Sequence, residues 1–510
     1  MNRPLSTSAL SVKASATLLL TGAADFLLFG QPQGVSLSIF GCLLVAALAA
    51  THPGPAAAHA RLAWIAMAVA TLLPLVENIS TMSISIALFG LSACALSISG
   101  RLRRNPADIA RRVIALLVAS PLRLPRDIIR SRNVAAKMHS TGAGLAGIAI
   151  WTLPVVLGAV FFILFGVANP VIDYWISLID LRVVFRFFDI WRIAFWLAVL
   201  ALTWALLRPR LPKWPSWLSF TAAATGARPQ SGKKAPTALA HLIFGKAAIL
   251  RALLVFNVLF AVQTILDGSY LWAGAALPNG LTYASYAHRG AYPLIVTALL
   301  AAIFVLIAMR PGSEMSADRR IRGLVYAWIA QNVMLVISSI LRLDLYIGVY
   351  SLTYWRVAAF IWMGLVAAGL ILIMARIALR QTNGWLLSAN LLALSAVLYA
   401  CCFINFAAII ADYNVKHSRE MNGGELALDL WYLHSLGQAA IPAFDLLLEN
   451  APDADTTMKQ AIRAKRASQA SEFLARQRNW RAWTFRNWRL ARYLDSHPEP
   501  AWPSMRLPGP

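Results

Sequence analysis

The chain has 510 residues, 59% of them hydrophobic and only 13% charged, and its mean hydropathy of +0.62 excludes a soluble multidomain protein of this length. Its 46 Lys and Arg stand against 22 Asp and Glu, but most fall in loops between apolar runs, as retention of cations on the cytoplasmic side of a membrane requires; this excludes nucleic acid as a partner. Cys42, Cys94, Cys401 and Cys402 lie inside apolar runs with no CxxC spacing, so neither a disulfide framework nor a metal site is implied.

Spanning a bilayer takes about 20 apolar residues, and about eleven such runs occur. The fold class expected is all-α: a polytopic transmembrane helix bundle with a C-terminal extramembrane helical tail. Residues 1–100 hold four runs, near 14–30, 34–50, 62–79 and 82–99, which read as a cluster of two hairpins. Residues 101–141 form a basic loop, with Arg101, Arg103, Arg104, Arg111, Arg112, Arg123, Arg126, Arg130, Arg132 and Lys137 against Asp108 and Asp127; it is expected in the cytoplasm. In 142–207, a run at 142–168 ends at the helix-start pair Asn169-Pro170. A charged stretch follows that reads as a packed outer helix, and then a run at 190–207. Gly142, Gly144 and Gly147 spell GxGxxG, but they open an apolar helix with no strand before them and signal close helix packing.

Residues 208–246 are a second basic stretch without a single acid, read as a cytoplasmic linker. The membrane core, 247–411, holds five runs: a polar-striped one from about 247, one ending near Met309, then 323–341, 353–375 and 385–411. Every basic loop falls on one side. The expected location is therefore the bacterial inner membrane, with the amino terminus cytoplasmic and the tail, 412–510, periplasmic. The tail is acidic to Asp455 and strongly basic from Lys459 to Arg492, with Trp480, Trp483, Phe485 and Trp488 interleaved. It reads either as helices lying on the membrane, arginine over anionic headgroups, or as a self-packed helical hairpin with a charged face.

Candidate binding residues cluster in the core. Asn257, Gln263, Thr264, Asp267 and Tyr270 fall on one side of a helix at 100° per residue. A carboxylate in a membrane needs a partner, and Arg289 or His288 on the following hairpin is the obvious one. That hairpin, LTYASYAHRG, adds Tyr283 and Tyr286, so two phenols, an imidazole and a guanidinium lie beside the interface, where they suit an anionic headgroup, a sugar or an aromatic belt. Asp25 and Glu77 read as hairpin-end or buried hydrogen-bonding residues, and Asn332, Asn390 and Asn405 as bonding across helices. No HExxH, P-loop or GxSxG is present. The sequence assigns no catalytic residue, and no metal or other cofactor; His417 and His434 lack a ligand spacing.

The hairpin resembles the TYAxYAxRG block of a family of bacterial multi-pass membrane proteins of unknown function. Similar too are FNVLFAVQTILDGSYLWAGAALPNG before it, DYNVKHSRE at 412–420, LDLWYLHSLGQAAIPA at 428–443 and WRAWTFRNWRL at 480–490, so the resemblance covers about 245–492. Ser285 stands where that pattern commonly has Glu. The resemblance implies an architecture and brings no reaction. Three functional readings stay open. The leading one is a non-enzymatic envelope or signalling component whose partners are membrane lipids and other membrane or periplasmic proteins. The alternatives are a transporter of a small or lipid-linked solute and a membrane enzyme on lipid-linked substrates.

Overall fold

In hydrocarbon every backbone N–H and C=O must be satisfied within the protein, which favours helices wherever an apolar run is long enough. The computed structural model describes residues 7–52, 58–102, 106–127, 189–210, 246–269, 318–423, 426–450 and 456–498, with 154, 157–158, 296–297, 300 and 304 between them. It is helical throughout, and no strand occurs among the described residues. Among the described residues eight helices are long and apolar enough to cross a membrane. The chain forms two compact units: residues 1–104 and 108–213 with 480–483, and residues 105–107, 214–479 and 484–510.

The first unit is built on α1 (Thr7–Leu28), α2 (Val35–Thr51), α3 (Ala58–Glu77), α4 (Thr81–Ile98), α5 (Pro106–Val118) and α6 (Ile190–Leu207). Gly30, at φ 64°, turns α1 into α2, and a capping box starts α4: Ser83 N–H donates to Ser80 Oγ at 3.1 Å while Ser80 N–H donates to Ser83 Oγ at 2.8 Å. Small residues set the helix spacing. A Cβ on Gly90 would sit 1.9 Å from Thr71 Oγ1, so α3 and α4 approach as closely as a glycine allows. Leu48, Leu75, Leu96, Leu116 and Leu206 fill the core, while Leu19, Leu62 and Leu197 point outward as lipid contact demands. At one end Asp25 accepts from Arg192 Nε at 2.9 Å and from Trp196 Nε1 at 2.8 Å, which makes it the hairpin-end residue expected. Residues 480–483 also belong here, Val35 N–H donating to Trp483 O at 2.7 Å.

The second unit is built on α7 (Lys246–Asp267), α8 (Arg319–Tyr350), α9 (Tyr354–Ala378), α10 (Asn383–Cys401), α11 (Phe406–Lys416), α12 (Ile441–Asn450), α13 (Thr456–Gln477) and α14 (Phe485–Ser496). Helices α7 and α8 run side by side in the same direction. Lys246 pairs with Asp318 at their starts at 2.6 Å, Asn257 Nδ2 reaches Leu324 O at 3.1 Å midway, and Asp267 meets Arg342 further along. The run read as 385–411 is two helices. Its break at 402–405 is stabilised by Asn405, whose Oδ1 accepts from Ala408 N–H to cap α11. The chain from α11 onward packs both on itself and on the α8–α9 turn. Ile410, Leu433, Phe444, Leu447 and Ile462 join Ile347 and Leu352 in one apolar cluster, and Phe473 and Leu494 anchor another. Asn414 fastens the first cluster to the α8–α9 turn, accepting from Leu352 N–H at 2.7 Å and donating to Leu352 O at 3.0 Å.

Candidate functional site

The polar stripe of α7 faces α8, and the two helices together make a polar seam. Asn257 donates to Leu253 O in its own helix at 2.7 Å as well as to Leu324 O, and its own carbonyl accepts from Gln331 Nε2 at 3.2 Å. Ten residues further on, about 15 Å along the helix, Gln263 Nε2 donates to Asp267 Oδ1 at 2.9 Å. Arg342 Nη2 donates to the same oxygen. Thr264 turns back to Phe260 O at 2.8 Å and contributes no cross-helix bond among the described residues.

Asp267 and Arg342 are 1% and 3% exposed, so both charges have left water. Their mutual attraction and the Gln263 hydrogen bond offset desolvation penalties of several kcal/mol per ion. The partner is thus an arginine of α8, a residue that sequence reasoning passed over because LRLD at 341–344 looks like the polar end of an apolar run. Its signal was position: Arg342 falls on the face of α8 that also carries Leu335, Ser338 and Ser339, all buried. Arg289 and His288, the partners expected, lie outside the described residues, as do Tyr270, Tyr283 and Tyr286.

Between the Asn257 and Asp267 levels of the seam α8 carries Trp328, Gln331 and Asn332. Asn332 Nδ2 donates to Trp328 O at 2.8 Å in its own helix, and Asn390 likewise to Leu386 O at 2.9 Å in α10. Both amides bond within their own helix, a correction to the cross-helix role expected, because the i−4 carbonyl is the nearest acceptor to an amide in an apolar helix. Trp328 is packed among Phe256, Phe260 and Phe304. Its Nε1, with Gln331 Oε1 and Asn332 Oδ1, is buried without a hydrogen-bond partner among the described residues. One donor and two acceptors within about one turn of α8 suit a small polar guest.

The tail presents a different surface. On α14, Phe485, Trp488, Arg489 and Arg492 share one exposed face, with Arg489 over the Phe485 ring at 4.9 Å and Arg492 over Trp488 at 5.2 Å. Leu490 and Leu494 lie on the opposite side, toward the core. Arg486 Nη2 donates to Cys402 O at 3.4 Å and Ile404 O at 3.3 Å, which fixes the start of α14 to the end of the apolar helix α10. Tyr493 OH donates to Asp445 Oδ2 at 3.1 Å, and burial together with that carboxylate holds its phenol well above the usual range.

No curated protein and no solved structure matches the sequence. A family profile described as "Domain of unknown function (DUF4153)" matches residues 14–447, from α1 to the last turn of α12, and so takes in the amino-terminal cluster as well as the core where the resemblance was read. With most of its length matched in this way, the chain belongs to the DUF4153 family.

Proposed function

We propose that this multi-pass membrane protein is a non-enzymatic component of a bacterial inner membrane, serving envelope maintenance or signalling, and that its polar seam is a lock that sets the register of α7 against α8. The observation that carries the reading is the buried Asp267–Arg342 pair with Gln263 on the same carboxylate. A carboxylate whose near oxygen already accepts from a guanidinium and an amide is poorly placed to shuttle protons or bind a solute. The exposed aromatic and arginine face of α14 supplies the matching surface, for lipid headgroups or for a periplasmic partner. The test is a double-mutant cycle. Asp267→Asn and Arg342→Gln alone each strand a buried charge, at about 3–5 kcal/mol, and are expected to lower the yield of monodisperse protein sharply. The double variant is expected to return most of it. A double variant as poor as the singles defeats the lock.

One observation favours transport as a second reading: the three buried polar atoms of Trp328, Gln331 and Asn332 without partners among the described residues. On that reading Asn332→Leu abolishes uptake while leaving folding intact, whereas for a lock it leaves every cellular phenotype unchanged.

A further inference from the structure

Helix ends gather at one end of the first unit: among the described residues α1 and α3 begin there, and α2, α4 and α6 finish there. Basic side chains crowd the place. Lys13 Nζ donates to Leu207 O at 3.0 Å and lies 2.7 Å from His52 Nε2. Arg101 donates to Pro209 O, and Arg112 Nη1 to Arg101 O at 2.8 Å. These three are explained by the carbonyls they cap, since helix C-termini favour cations. Arg208 and Arg210 are explained by Asp127, which they meet at 3.0 and 2.9 Å.

Arg123 is explained by neither. It is 8% exposed, and its Nη1 and Nη2 are buried with no hydrogen-bond partner among the described residues. Asp127 stands one turn on, but its Oδ1 accepts from Arg210, and its Oδ2 is paired with Arg208 and accepts from Trp204 Nε1 at 3.2 Å. Burial, then the neighbouring Arg101 and Arg210, push the Arg123 guanidinium down to about 10 although the Asp127 charge pulls the other way, so the two guanidinium neighbours lie close enough to repel. Arg101, Arg123, Arg208 and Arg210 gather around Asp127, whose two oxygens are already taken, and a buried guanidinium whose two terminal nitrogens have no partner among the described residues costs several kcal/mol unless an anion meets it.

We propose that this end of the first unit binds a phosphate group, with Arg123 as the planar, two-pronged donor and Arg101 and Arg210 flanking it. Guanidinium geometry matches phosphate oxygens bidentately, and the surplus of cations favours a multiply charged oxyanion over a single carboxylate. The half-exposed Arg101 and Arg210 mark the open side. The phosphate belongs either to an anionic lipid at the membrane surface or to a soluble phosphorylated compound. The inference is independent of the seam between α7 and α8.

The test uses the full chain, purified without phosphate, with unfolding followed by tryptophan fluorescence. One arm titrates sodium pyrophosphate against sodium chloride at equal ionic strength; the other adds phosphatidylglycerol against phosphatidylcholine in mixed micelles. A saturable rise in Tm on the order of 5 °C is expected in one arm, and which arm shows it identifies the source. Arg123→Gln is expected to abolish the rise and Arg210→Gln to weaken binding about tenfold, while Lys465→Gln, an exposed change of equal charge, leaves it intact. No rise in either arm overturns the proposal, and so does an undiminished rise in Arg123→Gln or, if that variant does not fold, in Arg210→Gln.

Discussion

His52 shows how much one side chain can report. Its Nδ1 lies 3.2 Å from Leu48 O and its Nε2 2.7 Å from the Lys13 ammonium, an arrangement that suits a neutral ring donating from Nδ1 and accepting at Nε2. Burial, then the Lys13 charge, moves its pKa from 6.5 to about 4. The folded state therefore holds fewer protons than the unfolded one between those values, and stability present above about 6.5 is lost as pH falls toward about 4. Tm measured from pH 8 to 4.5 is expected to fall less in His52→Gln than in the native chain, because glutamine accepts from Lys13 without titrating. Equal slopes would remove His52 as the cause. Gly90 is the steric counterpart: with Thr71 Oγ1 in the place of a Cβ, Gly90→Ala forces α3 and α4 apart and is expected to cost about 1–3 kcal/mol, measured by denaturant unfolding in detergent, with Thr71→Ala returning part of the loss.

Elements were legible where local chemistry and membrane burial agreed. Ile190–Leu207 was read correctly at both ends, since Asp189 caps it, accepting from Trp191 N–H at 3.0 Å, and the apolar run stops at Arg208. The run at 323–341 was read too short. Arg342 and Asp344 look like an exit into water, yet α8 continues to Tyr350 because Arg342 turns inward to a carboxylate 75 residues earlier, which no local window contains. For the same reason half the site was visible and half was not: the stripe of Asn257, Gln263 and Asp267 is periodic within one helix, whereas its partner is a property of two. The break at 402–405 was missed because Cys402 and Phe403 keep the run apolar, leaving Asn405 as the only hint. Asn414 carries a prediction at this scale. It satisfies both backbone groups of Leu352, so Asn414→Ala leaves a buried turn unpaired at about 1–3 kcal/mol; faster amide exchange over 347–354 is expected, with α1–α4 unchanged.

Over the whole molecule, helix direction constrains threading. Within the first unit α4 and α6 end together, Arg101 reaching Pro209 O, and within the second α7 and α8 start together at Lys246 and Asp318. Neighbours that cross a bilayer in the same sense need an odd number of crossings between them, and the apolar runs expected at 142–168 and up to Met309, largely outside the described residues, would supply one each. With the basic loops in the cytoplasm, a reporter active only in the periplasm is expected to stay silent when fused near Lys233 and to signal when fused after Asp495; the reverse pattern inverts the proposed topology. The Asp267–Arg342 pair between α7 and α8 also has a consequence for biosynthesis. At about 5–20 residues per second, the carboxylate leaves the ribosome roughly 4–15 seconds before the guanidinium 75 residues downstream that will neutralise it. During that interval a half-made chain holds an orphan acid at the lipid, and nascent proteins arrested before residue 342 should lean on the insertion machinery, or meet its proteases, in a way that those arrested after it do not.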